Sequence, residues 1–332
     1  MLRSLLQKQL SSYTPEIQPF YTFRQGTWQP CIQPGPQELA SKTTEPLKSL
    51  CLITWNIDFM ASQPQARMAS ALNYLEGLVS GVPSSSGTVI FLQEMMESEG
   101  NNRSHDAKDL SQVAAAAWVR QGFDITDVNS SCWDSSYGLV ALIDRRLRIT
   151  NVSRLRFVSE YQRDALFVDI RLASEKGTLL RLCNVHLDSS YGSMRPIQWK
   201  AVAKHLQDVD AGIVASIVAG DCNATQPRDR TEPRDNGFTD AYLELGGVEG
   251  DEEGLTWGFQ SVDWKRWGRK RLDKEAFWGK VKVRNLRRIG VGVEVAAGSA
   301  KKELAEGGEL PFVTDHYGLM CEYEIEDTLR TT

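Results

Sequence analysis

The sequence has few histidines, no closely paired cysteines and no long apolar run, and each shortage removes a class of protein. None of its four histidines (His105, His186, His205, His316) lies four residues from another, so the helical His pair of a zinc enzyme is missing. Its six cysteines (Cys31, Cys51, Cys132, Cys183, Cys222, Cys321) contain no Cys-x-x-Cys, and several sit inside apolar runs. Buried reduced thiols are therefore expected rather than disulfides or a structural zinc. No apolar run is long enough to cross a membrane. Met1 to Lys8 is basic and mildly amphipathic but lacks the sustained apolar core of a secretory signal, so an intracellular protein, nuclear or cytoplasmic, is expected. There is no Walker loop and no Gly-x-Ser-x-Gly elbow, which sets aside nucleotide-driven phosphotransfer and the serine hydrolases. Charge is nearly balanced, 38 Lys and Arg against 43 Asp and Glu, so the net value of -5 implies no polyanionic partner by itself.

What is present is enough for a sizeable core: 332 residues, 41% of them hydrophobic. The chain is organised around Ile213-Val-Ala-Ser-Ile-Val-Ala-Gly-Asp-Cys-Asn223, an apolar run that predicts a buried strand and ends in a carboxylate and a carboxamide. A carboxylate beside a core needs a donor, a cation or a solvated cleft. Other predicted strands end in the same way. Leu50 to Trp55 leads into Asn56 and Asp58; Val89 to Leu92 leads into Gln93 and Glu94; Leu179 to Val185 leads into His186 and Ser189. Asp273, Asp315 and His316 complete the set. Singly, each has a structural explanation as a turn, a surface pair or a satisfied core histidine. Together they describe one crevice at the ends of strands in an α/β fold.

Helical spacing predicts helices over 65–79, 110–120 and 196–209, and the strand-helix-strand order from Leu50 to Leu92 predicts parallel neighbours. Gln25 and Gly26 suit a hairpin turn, whereas the prolines that follow predict an irregular linker. Arg228 to Asn236 reads as a charged loop and Ala296 to Leu310 as a mobile one. Between Trp264 and Arg288 stand 11 Lys or Arg and two acids, a basic run suited to a phosphate-bearing substrate or simply to a solvated face.

Carboxylates and carboxamides without a thiolate suit a hard cation such as Mg²⁺, with Mn²⁺ as the alternative, and nearby histidines suit a phosphoryl transition state. Metal-assisted hydrolysis of a phosphate ester is the chemistry that remains.

Trp55-Asn-Ile-Asp58, Leu92-Gln-Glu94, His186-Leu-Asp-Ser189, Gly220-Asp-Cys-Asn223, Arg271-Leu-Asp273 and Thr314-Asp-His316 resemble, in order and spacing, the motif set of the endonuclease/exonuclease/phosphatase superfamily. Thr54 to Asp58 and Asp315 to Leu319 further resemble its tyrosyl-DNA phosphodiesterase 2 branch. The resemblance implies an α/β fold of the DNase I-like kind, a four-layered sandwich of two face-to-face sheets flanked by helices. It implies an extension over 1–49, a catalytic domain over 50–326 and a tail over 327–332. It assigns Glu94, Asn56 and Asp315 to the metal, and Asp221, held by Asn56, to the attacking water. His186 and Asn223 are assigned to the phosphate, His316 to a dyad with Asp273, and Ser189 and Trp257 to the substrate. A monomer acting on nucleic acid is expected, at DNA ends that carry a linked protein.

The chain departs from that branch in three places. Ala224, Thr225 and Gln226 stand where Leu-Arg-Asp is usual, so Arg228 or Arg230 would have to supply the phosphate-binding arginine. Phe59 replaces a glycine and Tyr317 a tryptophan. Alternatives therefore stay open: an RNA or abasic-site nuclease, an inositol or sphingolipid phosphatase, or an inactive scaffold.

Overall fold

The computed structural model describes residues 13–32, 47, 49–97, 108–172, 177–296 and 298–326. The basic N-terminus, most of the proline-rich linker, residues 98–107 and 173–176 and the C-terminal tail lie outside the described residues. In chain order the strands are β1 (Glu16–Ile17), β2 (Phe20–Arg24), β3 (Thr27–Cys31), β4 (Ser49–Asn56), β5 (Ser86–Met96), β6 (Phe123–Ile125), β7 (Tyr137–Asp144) and β8 (Ile149–Arg156). They continue with β9 (Asp164–Arg171), β10 (Leu179–His186), β11 (Ile213–Asp221), β12 (Thr239–Asp240), β13 (Asp273–Gly279), β14 (Val281–Ile289) and β15 (Gly318–Ile325). Helices longer than one turn are α1 (Pro64–Ser80), α2 (Asp109–Ala115), α3 (Ala117–Gly122), α4 (Arg195–Leu206) and α5 (Gly298–Glu306).

One sheet has the order β1-β8-β9-β10-β11-β13-β12 and the other β14-β15-β4-β5-β7-β6-β2-β3. Alternation along the strands builds four layers from them. In β4, Leu50 and Leu52 point into the core between the sheets, where they meet Val168, Leu182 and Ile217 of the facing sheet. Cys51, Ile53 and Trp55 point the other way, onto Met68, Leu72 and Leu75 of α1. On the opposite outer face Cys183 and Val185 pack against Trp199, Val202 and Leu206 of α4. Truncating Trp55, which is fully buried, would cost about 3–5 kcal/mol.

Each sheet contains one parallel pair, β4 with β5 and β10 with β11, and the remaining pairs are antiparallel. Both parallel pairs end at the same side of the sandwich, with Asn56 beside Gln93 and His186 beside Asp221. Antiparallel β13 starts there, with Asp273 opposite Asp221. A buried polar stitch joins the sheets directly beneath: Gln93 donates to Asn184 (2.7 Å) and Thr54 (2.9 Å), and Asn184 donates to the carbonyls of Leu92 and Val140.

The expected hairpin forms, Phe23 facing Trp28 across Gln25 and Gly26, and it joins the second sheet through β6. β1 pairs with β8 on the first sheet, and between them Gln18 plugs a buried cluster. Its amide donates to the Thr126 carbonyl (3.1 Å), and its oxygen accepts from Arg154, which also pairs with Asp127 and Asp164.

Three local expectations change. The segment read as a mobile loop contains α5, whose Ala300 and Leu304 pack with Val295 against Ala66 of α1. The predicted helix 110–120 breaks at Ala116, where ψ of 126° leaves the helical region. Within the charged loop, Pro227–Arg230 and Glu232–Asp235 are single helical turns, because Asp229 is buried against Arg195.

Candidate active site

The polar strand ends meet in a cleft of about 650 Å³ whose walls include Glu94, His186, Asp221, Asn223, Trp257 and His316. Ser189 also lines it. Asn56 is the hub, wholly buried. Its Nδ2 donates to Glu94 Oε1 (3.1 Å) and Asp221 Oδ2 (3.1 Å), and its Oδ1 accepts from the Asp58 N–H (3.0 Å). One carboxamide thus fixes both carboxylates. Glu94 Oε2 accepts from the Phe59 N–H (3.0 Å), so both oxygens of Glu94 are held.

Backbone strain gathers at these turns. Asp58, Glu94 and Asn223 have φ of 60°, 60° and 47°, a left-handed region unfavourable to side chains and tolerated where surrounding bonds overdetermine it. Gly220 has no such option, since a Cβ there would lie 2.0 Å from the Val185 carbonyl oxygen. That close approach sets β10 against β11 just before His186 and Asp221.

The two histidines are in different states. Arg163 Nη1 lies 2.6 Å from His186 Nδ1. A guanidinium only donates, so Nδ1 accepts and the proton sits on Nε2. Burial, the Arg163 charge and His316 push His186 well below its usual range, which keeps it neutral. Its Nε2–H faces Asp221 Oδ2 (3.4 Å) and Glu94 Oε1 (3.6 Å) as a neutral donor. Glu94, His186 and Asp221 bring ligand atoms within 4.8 Å of one another, but a protonated Nε2 donates and does not ligate. His316 is the reverse. Burial opposes its charge, but Asp273 (Nδ1 to Oδ2, 2.9 Å), Asp315 and Asp221 raise it well above 6.5, giving an imidazolium. Its Nε2 is 3.9 Å from Asp221 Oδ2 and 3.8 Å from Asp315 Oδ1.

The carboxylates are crowded. Burial, with Asp315 and Glu94, pushes Asp58 well up, and burial also raises Glu94. Burial and the Asp273 and Glu94 charges, against the opposing pull of His316, leave Asp221 at about 7. The cations beside these carboxylates do not offset their burial and mutual repulsion; a hard divalent cation relieves both, and the oxygen donors fit one.

Asn56, Glu94, His186, Ser189, Asp221, Asn223, Trp257, Asp273, Asp315 and His316 come to this cleft or to its supports, and the two arginines expected for the phosphate do not. Asn223 donates to the Leu187 carbonyl (3.0 Å), and its N–H bonds Asp221 Oδ1 (2.7 Å). Trp257 Nε1 donates to Asp315 Oδ2 (2.6 Å). Neither Arg228 nor Arg230 lines the cleft: Arg228 is tied to the carbonyls of Tyr191 and Gly192. The arginine that does line it is Arg163, which the sequence did not single out. It lies 4.9 Å over Tyr137, whose ring stacks on Phe59 at 4.1 Å. No motif surrounds Arg163, so only the structure reveals it.

The basic run divides. Arg271 and Lys274 are buried with Asp240 and Glu249, and Arg284 and Lys282 pair with Glu324 and Glu326. Lys270 faces the cleft beside Trp267, whose ring carries Arg266 at 4.6 Å.

No protein-family model and no curated protein matches the sequence. Solved structures do. A humanized D. rerio TDP2 superposes with a TM-score of 0.61 at 18% identity, over 83% of this chain and 99% of that one. A truncated Caenorhabditis elegans TDP2 gives 0.61 at 20% identity, over 84% and 99%. The fold is DNase I-like. The human Nocturnin catalytic domain shares this DNase I-like architecture, with a TM-score of 0.54 at 16% identity over 85% of this chain and 97% of that one. The four-layered sandwich implied by the motifs is therefore present, and no described helix is long and apolar enough to cross a membrane.

Proposed function

We propose that this chain is a divalent-cation-dependent phosphodiesterase that processes 5′ ends of DNA, in the manner of tyrosyl-DNA phosphodiesterase 2. The observation that carries the reading is the convergence of Glu94, Asp221, His186 and His316 in one cleft, from strand ends far apart in sequence. Glu94 would hold the ion, with Asp58 and Asp315 beside it and Asn56 fixing Glu94. A bound Mg²⁺ supplies charge for the phosphate oxygens and a more acidic water.

The chain's own groups do the rest. Asp221, aimed by Asn56 and the Asn223 N–H, orients a water and takes its proton; near 7 it is a better base than an ordinary aspartate. The His316 imidazolium and the neutral His186 Nε2–H donate to non-bridging oxygens as charge builds on them. Arg163 adds a fixed cation held on Tyr137, and a guanidinium against aromatic rings favours an aromatic leaving group. Support for a nucleic-acid substrate comes from Lys270, Arg266 and exposed Trp267 at the mouth, a combination suited to phosphates and bases. A D. rerio TDP2 of the same fold has been solved complexed with single strand DNA product.

The test is a panel of a 5′-phosphotyrosyl oligonucleotide, an abasic duplex, single-stranded RNA and inositol phosphates, each with Mg²⁺ and with chelator. Metal-dependent release of tyrosine is expected. Turnover of the inositol phosphates alone overturns the substrate assignment, and turnover undiminished by chelator overturns the cation.

A further inference from the structure

We infer that Arg67 is a positioning residue that sets the two loops of the cation-binding side at their working distance, an inference that rests on the function proposed above. Arg67 lies in the first turn of α1 and is 6% exposed. Its Nε donates to the Ser62 carbonyl (2.6 Å), Nη1 to the Phe312 carbonyl, and Nη2 to the Leu310 carbonyl (3.3 Å) and Glu309 Oε2 (3.2 Å). Three of these four acceptors are backbone carbonyls, and the one carboxylate belongs to a side chain 42% exposed. An arginine placed for charge pairing alone would not be arranged this way. The planar fork instead fixes the spacing of two chain segments.

Those segments matter because of what they carry. Residues 57–63 hold Asp58 and the Phe59 N–H that bonds Glu94. Residues 309–313 run directly into Thr314, Asp315 and His316. Beyond Arg67, the second segment is tied by Thr314 Oγ1 to the Asn56 carbonyl (2.9 Å), by Gln260 Nε2 to the Thr314 carbonyl (2.9 Å) and by Trp55 Nε1 to the His316 carbonyl (3.1 Å). Asn56, Thr314 and His316 are thus pinned from the core side, and Arg67 closes the joint from the helix side. The guanidinium also lies in the attractive field of Asp58 and Asp315, one residue from each loop. A cation held between the loops depends on that spacing, and partners of this supporting kind alter metal affinity by about 10–100-fold.

The experiment measures Mn²⁺ binding to the full chain without substrate, by loss of the free-ion paramagnetic resonance signal, together with Mg²⁺ titrations of turnover. Arg67→Lys keeps the charge and loses the fork. It is expected to weaken Mn²⁺ binding about tenfold or more, with turnover largely restored by excess Mg²⁺. Glu309→Gln, which leaves the three carbonyl bonds intact, is expected to bind Mn²⁺ like wild type. Unchanged affinity in folded Arg67→Lys, an activity loss that excess Mg²⁺ does not relieve, or failure of Arg67→Lys to fold each overturns the inference. A wild-type chain that binds no Mn²⁺ and cleaves no phosphodiester instead overturns the proposed function.

Discussion

Glu275 sits wholly buried on β13 between the sheets. Its Oε2 accepts from Tyr323 Oη (3.0 Å), and among the described residues the only other side-chain donor beside the carboxyl is the weak thiol of Cys321. Burial pushes its carboxyl from 4.5 up to about 8. A carboxyl raised on folding leaves stability intact below about 4.5, and stability falls as pH rises through about 8, because the folded chain must keep a proton that the unfolded chain releases. With ~1.36 kcal/mol per unit, the penalty is about 1 kcal/mol at pH 5, roughly 3 at pH 7 and just under 5 at pH 9. Glu275→Gln keeps an acceptor for Tyr323 and removes the titration. Any difference in hydrogen bonding between the amide and the protonated carboxyl is an offset that does not change with pH. From pH 5 to pH 9 the variant therefore gains about 4 kcal/mol on wild type in urea unfolding, or about 6 °C in Tm. Parallel stability curves over that range would show that Glu275 is not protonated in the folded chain, and the argument from burial would fail.

The remaining expectations concern the cleft and its supports. Asp221→Asn should lower kcat by at least about 10²-fold without lowering Tm, since a carboxyl raised to about 7 destabilises at neutral pH; an unfolded variant would mark Asp221 as structural. Asp273→Asn removes the nearest charge holding His316 high. Stability from that imidazolium is fully present below 6.5 and disappears as pH rises through its raised value, so the variant should be destabilised most below 6.5 and progressively less above it. Its alkaline limb of kcat/KM should move to lower pH, and an unmoved limb would remove His316 from the chemistry. Gln18→Ala should cost about 2 kcal/mol in urea unfolding by exposing the Arg154 cluster, whereas a change below about 0.5 would mean that the plug is dispensable. Lys270→Gln should reduce the salt dependence of oligonucleotide binding by about one phosphate contact; an unaltered slope would place the strand elsewhere.

Much of this molecule was legible from local pattern, and the exceptions share a cause. The runs at Leu50, Val89, Leu179 and Ile213 announce buried strands because apolar β-branched stretches have few other uses, and the polar residues that end them announce a crevice. The hairpin at Gln25 and Gly26 was equally plain. The helix at 298–306 was not: Ala300 to Glu306 is made of helix formers, but nine residues flanked by Gly298 and Gly307 are too few to hold a helix alone, and this one rests on the contacts Ala300 and Leu304 make with Val295 and with Ala66 of α1. Arg163 and Arg67 were invisible for a related reason: nothing near either in sequence names its partner. His186 stands 23 positions from Arg163, and Phe312 stands 245 from Arg67.

The sequence by itself determined which residues could carry the chemistry, because order and spacing of polar strand ends are properties of a line. Their protonation, by contrast, was decided only in three dimensions. His186 and His316 are the same residue type at two strand ends, yet a guanidinium against Nδ1 keeps one neutral and a carboxylate against Nδ1 charges the other. A pKa depends on charges a few ångströms away, and the sheets bring those charges from segments more than twenty residues distant.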